Sequence, residues 1–222
     1  NQAIKANLGE VYIACDGEEI ALEVAKFGAK YVITDPNLPS GTDRIYDALN
    51  QLDKKITNDF EVIINLQGDL PIIDPAIINR IGLSCLNNHH QIVTAASIIR
   101  DIVEINNPNV VKIALAPYKN SDKSLINDQI VSGLALYFSR SAIPYGAGDY
   151  YHHIGIYAYS KKALEKFVSF AASTLEKREK LEQLRALEND IKIAVEVVDS
   201  YPHSVDTKED LENVIKLIKN QN

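Results

Sequence analysis

Apolar positions along the chain follow two spacings, and the switches between them mark out strands and helices. The firmest strand pattern lies in residues 61–71, EVIINLQGDLP, where Val62, Ile63, Ile64 and Leu66 form a run suited to the buried middle of a parallel sheet. That run stops at Gly68, Asp69 and Pro71, with glycine read as giving the turn backbone freedom and proline as ending the ladder. Before it, 1–7 reads as the last turns of a helix, 11–14 as a strand, 18–27 as a helix closed by Gly28, and 31–34 as a strand. Residues 43–52 carry Ile45, Ala48, Leu49 and Leu52 on one helical face, with Thr42 as the expected N-cap. After it, Pro75 opens a helix to about 86 and 92–99 is an apolar strand, so alternating βαβ units are predicted.

The order changes beyond residue 107. Residues 110–115, 134–138 and 153–159 read as strands, 117–129 as polar and turn-like, and 139–148 as a loop. Residues 161–168 form a helix, Ser173 with Glu176 is a capping box opening one long helix to 189, and 191–198 is a strand. Thr207 caps a last helix to 219, with Leu211, Val214, Ile215 and Ile218 facing inward. The pattern predicts one α/β domain over 1–222, with a mixed, mostly parallel sheet flanked by helices and a smaller antiparallel insertion over 107–159.

At 222 residues and 46% hydrophobic composition the chain can fill such a core. A formal charge of -7 without a basic run argues against nonspecific nucleic-acid binding, so an anionic ligand has to meet individually placed cations. No apolar run reaches membrane-spanning length and no signal peptide is evident, which predicts a soluble cytoplasmic protein. Cys15 and Cys85 are expected to be buried, reduced thiols. The sequence contains no methionine, and its first residues carry no N-cap for the helix they appear to finish, so its beginning is expected to be missing.

Neither GxGxxG nor GxxxxGK[ST] occurs, and the histidine pairs His89-His90 and His152-His153 lack zinc-ligand spacing. Four polar clusters stand instead at the ends of elements. Ser40-Gly41-Thr42-Asp43-Arg44 sets hydroxyls and a guanidinium at a helix start, where a carboxylate or phosphate can bind; alone it is an ordinary cap with a surface arginine. Asp69 stands beyond the strand end, where ligands bind in open α/β sheets, although a lone Gly-Asp is an ordinary turn. Asp206 precedes the last helix and by itself reads as a residue stabilised by the helix dipole. Glu182, Gln183 and Arg185 read alone as a solvated charged helix face.

Seven blocks in order carry a resemblance: SGTDR at 40–44, NLQGDLP at 65–71, NPNVVK at 107–112, LYFSRSAIPY at 136–145, HIGIYAY at 153–159, LEKREKLEQLRALEN at 175–189 and SVDTKEDL at 204–211. Along nearly its whole length the chain resembles the 3-deoxy-manno-octulosonate (Kdo) cytidylyltransferases. The resemblance implies a nucleotide-diphospho-sugar transferase-like fold and a homodimer that makes CMP-Kdo and pyrophosphate from CTP and Kdo, with Mg²⁺, for lipopolysaccharide synthesis. It implies that Asp69 and Asp206 hold Mg²⁺. It further implies that Arg44, Gln67, His153, Tyr157, Glu182 and Gln183 line the sugar pocket with Arg140 near it, and that Ser40 and Thr42 lie on the nucleotide side. The same resemblance implies that Arg44 joins Asp69 and Asp206 as a catalytic residue and with His153 orients the acid sugar, and that the 107–159 insertion carries sugar contacts and the dimer interface. Mg²⁺ takes few carboxylates and keeps other positions for phosphate oxygens and water, so two aspartates from separate loops suffice.

The chain departs from that family in three places. The opening strand and the Arg/Ser/Lys-bearing loop that grips the triphosphate would precede Asn1, Leu70 stands where Glu is common, and Asp16-Gly17 replaces a common Asp-Asp. The alternatives are CMP activation of another acidic sugar, such as 8-amino-Kdo or a sialic acid, and an inactive homologue serving as a binding subunit.

Overall fold

The computed structural model describes residues 1–118, 125–126, 129–199, 201–205 and 207–220. Helices and strands alternate through the first half: α1 (Gln2–Ala6), β1 (Tyr12–Cys15), α2 (Glu18–Lys26), β2 (Lys30–Ile33), α3 (Gly41–Gln51), α4 (Lys54–Thr57), β3 (Val62–Leu66), α5 (Pro75–Asn87) and β4 (Ile92–Ile98). The second half runs α6 (Ile102–Asn106), β5 (Lys112–Pro117), β6 (Leu125–Ile126), β7 (Gln129–Ile130), β8 (Ser132–Ser139) and β9 (Tyr151–Ser160). It ends with α7 (Lys161–Ser169), α8 (Thr174–Glu179), α9 (Leu184–Glu188), β10 (Ile193–Val198) and α10 (Lys208–Asn220).

Side-chain caps set several of these boundaries. Pro75 occupies the first turn of α5 while the Asp74 carboxylate accepts from the Ala76 N–H, satisfying a helix-end donor. Asn7 closes α1 in the left-handed region at φ 53°. The cap of α3 is Ser40, not Thr42: its hydroxyl oxygen accepts from the Asp43 N–H and donates to the Asp43 carboxylate. That starts the helix two residues early and frees Thr42 for another role. The short helices α4 and α6, each capped by an aspartate, went unpredicted because one turn is too brief to display a period.

The largest difference lies at 173–189. The Ser173–Glu176 capping box forms as expected, but the single long helix is two short ones. Lys180 adopts φ 57°, and the Leu181 N–H bonds back to the Glu176 carbonyl, closing α8 in the manner usually given to glycine. Leu181 and Leu184 then bury themselves in the core, and Gln183 becomes the N-cap of α9. A lysine at the stop gave the sequence no terminator to read.

The main sheet has the order β3-β9-β4-β10-β8-β5, while β1 and β2 form a separate parallel pair. β10 runs parallel to β4, and β3 and β4 both run antiparallel to β9 between them, so β3, β4 and β10 share one direction. The mixed sheet with flanking helices is therefore present, but it is not mostly parallel: β4–β10 is its one parallel pairing among the described residues, and β9 separates β3 from β4. Strands β5, β8 and β9 of the expected 107–159 insertion are antiparallel but belong to this same sheet. β3 is an edge strand among the described residues, not a central parallel one, and Val62, Ile63 and Ile64 are accordingly only half-buried.

Alternation along the strands builds two cores, one on each face. On one, α5 sets Ile77, Ile78, Ile81 and Cys85 against Val93, Ala95, Ile154, Ile156 and Ala158. On the other, Leu164 and Phe167 of α7 and Leu184 and Ala186 of α9 pack with Tyr157, Tyr159, Ile193 and Val195. Cys15 and Cys85 are buried and free, and no helix among the described residues is long and apolar enough to cross a membrane.

Candidate active site

The second face carries the polar residues. Asn65 pairs with Tyr157 across β3 and β9, so its side chain enters the α7/α9 side of the sheet as a buried amide within an otherwise apolar strand. Its Oδ1 accepts from Gln67 Nε2 at 2.7 Å, and its Nδ2 donates to Thr42 Oγ1 at 3.4 Å. Thr42 is fully buried in the first turn of α3; its hydroxyl donates to Glu182 Oε1 at 2.7 Å and lies 3.3 Å from the Tyr159 hydroxyl. A hydrogen-bonded chain thus runs from Gln67, at the strand end before Asp69, to Glu182 in the turn between α8 and α9. Gly41 permits this approach: a Cβ there would stand 3.0 Å from Gln67 Nε2 and 3.2 Å from Oε1. Gly68, by contrast, needs no special backbone: its φ is outside the left-handed region and nothing lies within 4 Å of its Cβ position.

The break between α8 and α9 gives Glu182 and Gln183 their direction. Glu182 Oε2 and Gln183 Nε2 are buried and lack a hydrogen-bond partner among the described residues, one an acceptor and the other a donor. Buried polar atoms of this kind are uncommon and costly, which singles out this pair as candidates for contact with a ligand. Beneath them, Arg185 is 3% exposed, donates to both oxygens of Glu176 at 2.9 and 2.6 Å, faces Asp43 at 3.8 Å, and lies over the Phe167 ring. Burial opposes the Glu176 charge, but the Arg185 bonds and the Ser173 N–H hold its pKa below the usual value.

His153 and Tyr157 share the same strand face. The Nε2 of His153 lies 2.8 Å from the Tyr157 hydroxyl and 3.2 Å from Thr94 Oγ1, and Thr94 donates to the Ile156 carbonyl at 2.8 Å, where the β4–β9 register shifts. Burial, with His152 adjacent, pulls the His153 pKa down to about 3, so its imidazole is neutral at physiological pH. Burial, reinforced by Tyr159 and Glu182, raises the Tyr157 phenol and keeps it protonated. This wall presents neutral hydrogen-bonding groups beside the Glu182 carboxyl.

Gln67, Thr42, Glu182, Gln183, His153 and Tyr157 thus gather on one face. Ser40 stands beside them as the helix cap. Arg44 is placed differently: its guanidinium donates to Thr34 Oγ1 at 2.7 Å and lies 3.5 Å from Asp16, at the ends of β1 and β2. Arg140 spends its guanidinium on the carbonyls of Glu179, Pro108 and Lys180, bracing the turn that leads to Glu182. Asp69 is exposed, and its carbonyl accepts from the Val205 N–H at 2.8 Å, so the strand-end loop is tied to the segment leading to residue 206. Asp206 itself lies outside the described residues. Sequence reasoning gave no site role to Asn65, Thr94 and Tyr159; a polar residue inside each of the apolar strands β3 and β4 was the available signal for the first two.

Comparisons with known proteins fit this geometry. A family model described as cytidylyltransferase matches residues 1–193. A 3-deoxy-manno-octulosonate cytidylyltransferase of Bartonella tribocorum is 47% identical over 217 residues, 98% of this chain and 84% of that protein. One from Paramagnetospirillum magneticum is 42% identical over 220 residues, again 98% and 84% of the two chains. Among solved structures, a CMP:2-keto-3-deoxy-manno-octonic acid synthetase complexed with CTP superposes with a TM-score of 0.85 at 30% identity, covering 100% of this chain and 86% of that one. With a cytidylyltransferase model across most of the sequence and such relatives along nearly all of it, the chain belongs to the 3-deoxy-manno-octulosonate cytidylyltransferase family.

Proposed function

We infer that the protein transfers CMP from CTP to Kdo, giving CMP-Kdo and pyrophosphate, and so supplies the activated sugar for lipopolysaccharide synthesis. The observation that carries this reading is the convergence of three separate sequence blocks: Thr42, Gln67 and Glu182 meet through one hydrogen-bonded chain, in a fold shared with a CTP-bound synthetase. In the transfer, the anomeric hydroxyl oxygen of the sugar bonds to the α-phosphorus as the bond to the bridging β-phosphate oxygen breaks. Pyrophosphate leaves with that electron pair, and the hydroxyl proton passes to water. Such chemistry asks the protein mainly for positioning and charge neutralisation.

The residues divide that work. Glu182 Oε2 accepts from a sugar hydroxyl, Gln183 Nε2 donates to a sugar oxygen, and His153 with Tyr157 forms the neutral wall. Arg44 takes the rim at the ends of β1 and β2, where its cation meets an anionic group. Asp69 and Asp206 are the residues to hold Mg²⁺; an exposed carboxylate tied to the segment before residue 206 suits a hard cation that retains water and phosphate oxygens. When bound, the ion neutralises triphosphate charge.

A cytoplasmic enzyme accords with the two free buried thiols, and a homodimer accords with exposed apolar side chains such as Ile102, Val103, Leu136 and Tyr145. The test of the reaction is pyrophosphate release with CTP, Mg²⁺ and either Kdo or a sialic acid. Release with Kdo alone supports the assignment. Release with the sialic acid alone reassigns the sugar, and silence with both favours another acidic sugar, such as 8-amino-Kdo, or the inactive-homologue reading.

A further inference from the structure

Thr42 falls in the block whose resemblance sets it on the nucleotide side, yet its surroundings describe another task. The geometry points to Thr42 as a positioning residue of the sugar pocket, acting through Glu182 and making no contact with the nucleotide. A hydroxyl has one proton to donate and two lone pairs to accept with. The Thr42 proton goes to Glu182 Oε1 at 2.7 Å, while Asn65 Nδ2 at 3.4 Å and the Tyr159 hydroxyl at 3.3 Å occupy the accepting side. The side chain is 0% exposed. Its hydrogen-bonding capacity is spent within the protein, with none left for a ligand.

What the hydroxyl does is fix one carboxylate oxygen of Glu182 and leave the other, Oε2, uncommitted beside Gln183 Nε2. The other supports are rigid. Tyr159 is buried in the centre of the core, Asn65 is held in β3 and bonded to Gln67, and Asp43, next to Thr42, faces the buried Arg185 one turn beyond Glu182. Glu182 itself lies in the short turn between two helices, where its rotamer has no continuous helical surface to lean on. The threonine therefore supplies the contact that aims the carboxylate, as a pre-organised site requires.

This inference rests on the sugar-pocket reading, and its test separates the two. Thr42→Val keeps the shape and removes the hydroxyl, whereas Thr42→Ser keeps the hydroxyl. In pyrophosphate-release kinetics, Thr42→Val is expected to raise the KM for Kdo by roughly tenfold with the KM for CTP within about twofold, and Thr42→Ser to restore the Kdo value. A rise in the KM for CTP, or a fall in thermal stability with both KM values unchanged, overturns the inference. If the wild-type protein releases no pyrophosphate with Kdo, the functional reading fails instead. Crystal structures of the two variants then decide the positioning role: a Glu182 carboxylate displaced in Thr42→Val and restored in Thr42→Ser upholds it, and one unmoved in both refutes it.

Discussion

Asp69 is exposed at the end of β3, while Asn65 four residues earlier is buried inside the same strand, and the two divide the labour of that segment. Asp69→Asn keeps the shape and removes a charge from an edge already in water. It is expected to lower turnover by about 100-fold or more, because a metal ligand is lost. Activity near the wild-type level refutes the metal role. Gly41→Ala acts one step away: its Cβ would sit 3.0 Å from the Gln67 amide, a flexible side chain that can swing aside. Stability should therefore hold while Gln67 leaves Asn65, and the KM for Kdo should rise several-fold, by roughly the factor that one lost hydrogen bond implies. Gln67, Glu182 and Gln183 were legible because whole blocks could be matched in order. Asn65 and Thr94 were not, since a polar residue inside an apolar strand does not reveal which face of the sheet it enters until the strand's neighbours are known.

At the scale of elements, the break between α8 and α9 matters most to the site. A continuous helix over 173–189 would have displayed Glu182 on a helical surface; the left-handed Lys180 turns the chain so that Glu182 meets Thr42. Arg185 locks that turn by clamping Glu176 from the preceding helix, with both partners largely out of water. Arg185→Met removes one half of a buried pair and should destabilise the fold by about 3 kcal/mol, since Glu176 is left without its counter-charge. Equilibrium urea unfolding measures this directly, and a change below about 1 kcal/mol would show that the pair is not closely held. The capping box at Ser173, the proline start of α5 and most strands were readable from local chemistry. The stop at Lys180 was not, because its cause is burial of Leu181 and Leu184 in a core assembled from distant strands.

Across the whole molecule, the order of strands is what local pattern conveys least. β9 enters between β3 and β4, so residues such as Val62 and Ser160 become neighbours, and the 107–159 segment, expected to carry sugar contacts from an antiparallel insertion, does so as strands of the main sheet. The same burial gives the fold a pH dependence. Burial lowers the pKa of His152 to about 4 and of His153 to about 3, against an ordinary value of 6.5. Above pH 6.5 neither state takes up these protons; below it the unfolded chain does and the native chain does not, so stability falls as pH drops toward 4. Each imidazole contributes about 1.4 kcal/mol per pH unit within that window. His152→Phe, which can keep the stack on Tyr201, should remove one such share from the slope of stability against pH, and an unchanged slope contradicts the burial argument. The most direct test of the central claim, that the turn between α8 and α9 reads the acid sugar, is the kinetic comparison of Glu182→Ala with wild type at varied Kdo and varied CTP. The account predicts a KM for Kdo raised by roughly tenfold or more with the KM for CTP unchanged, and equal effects on both substrates would contradict it.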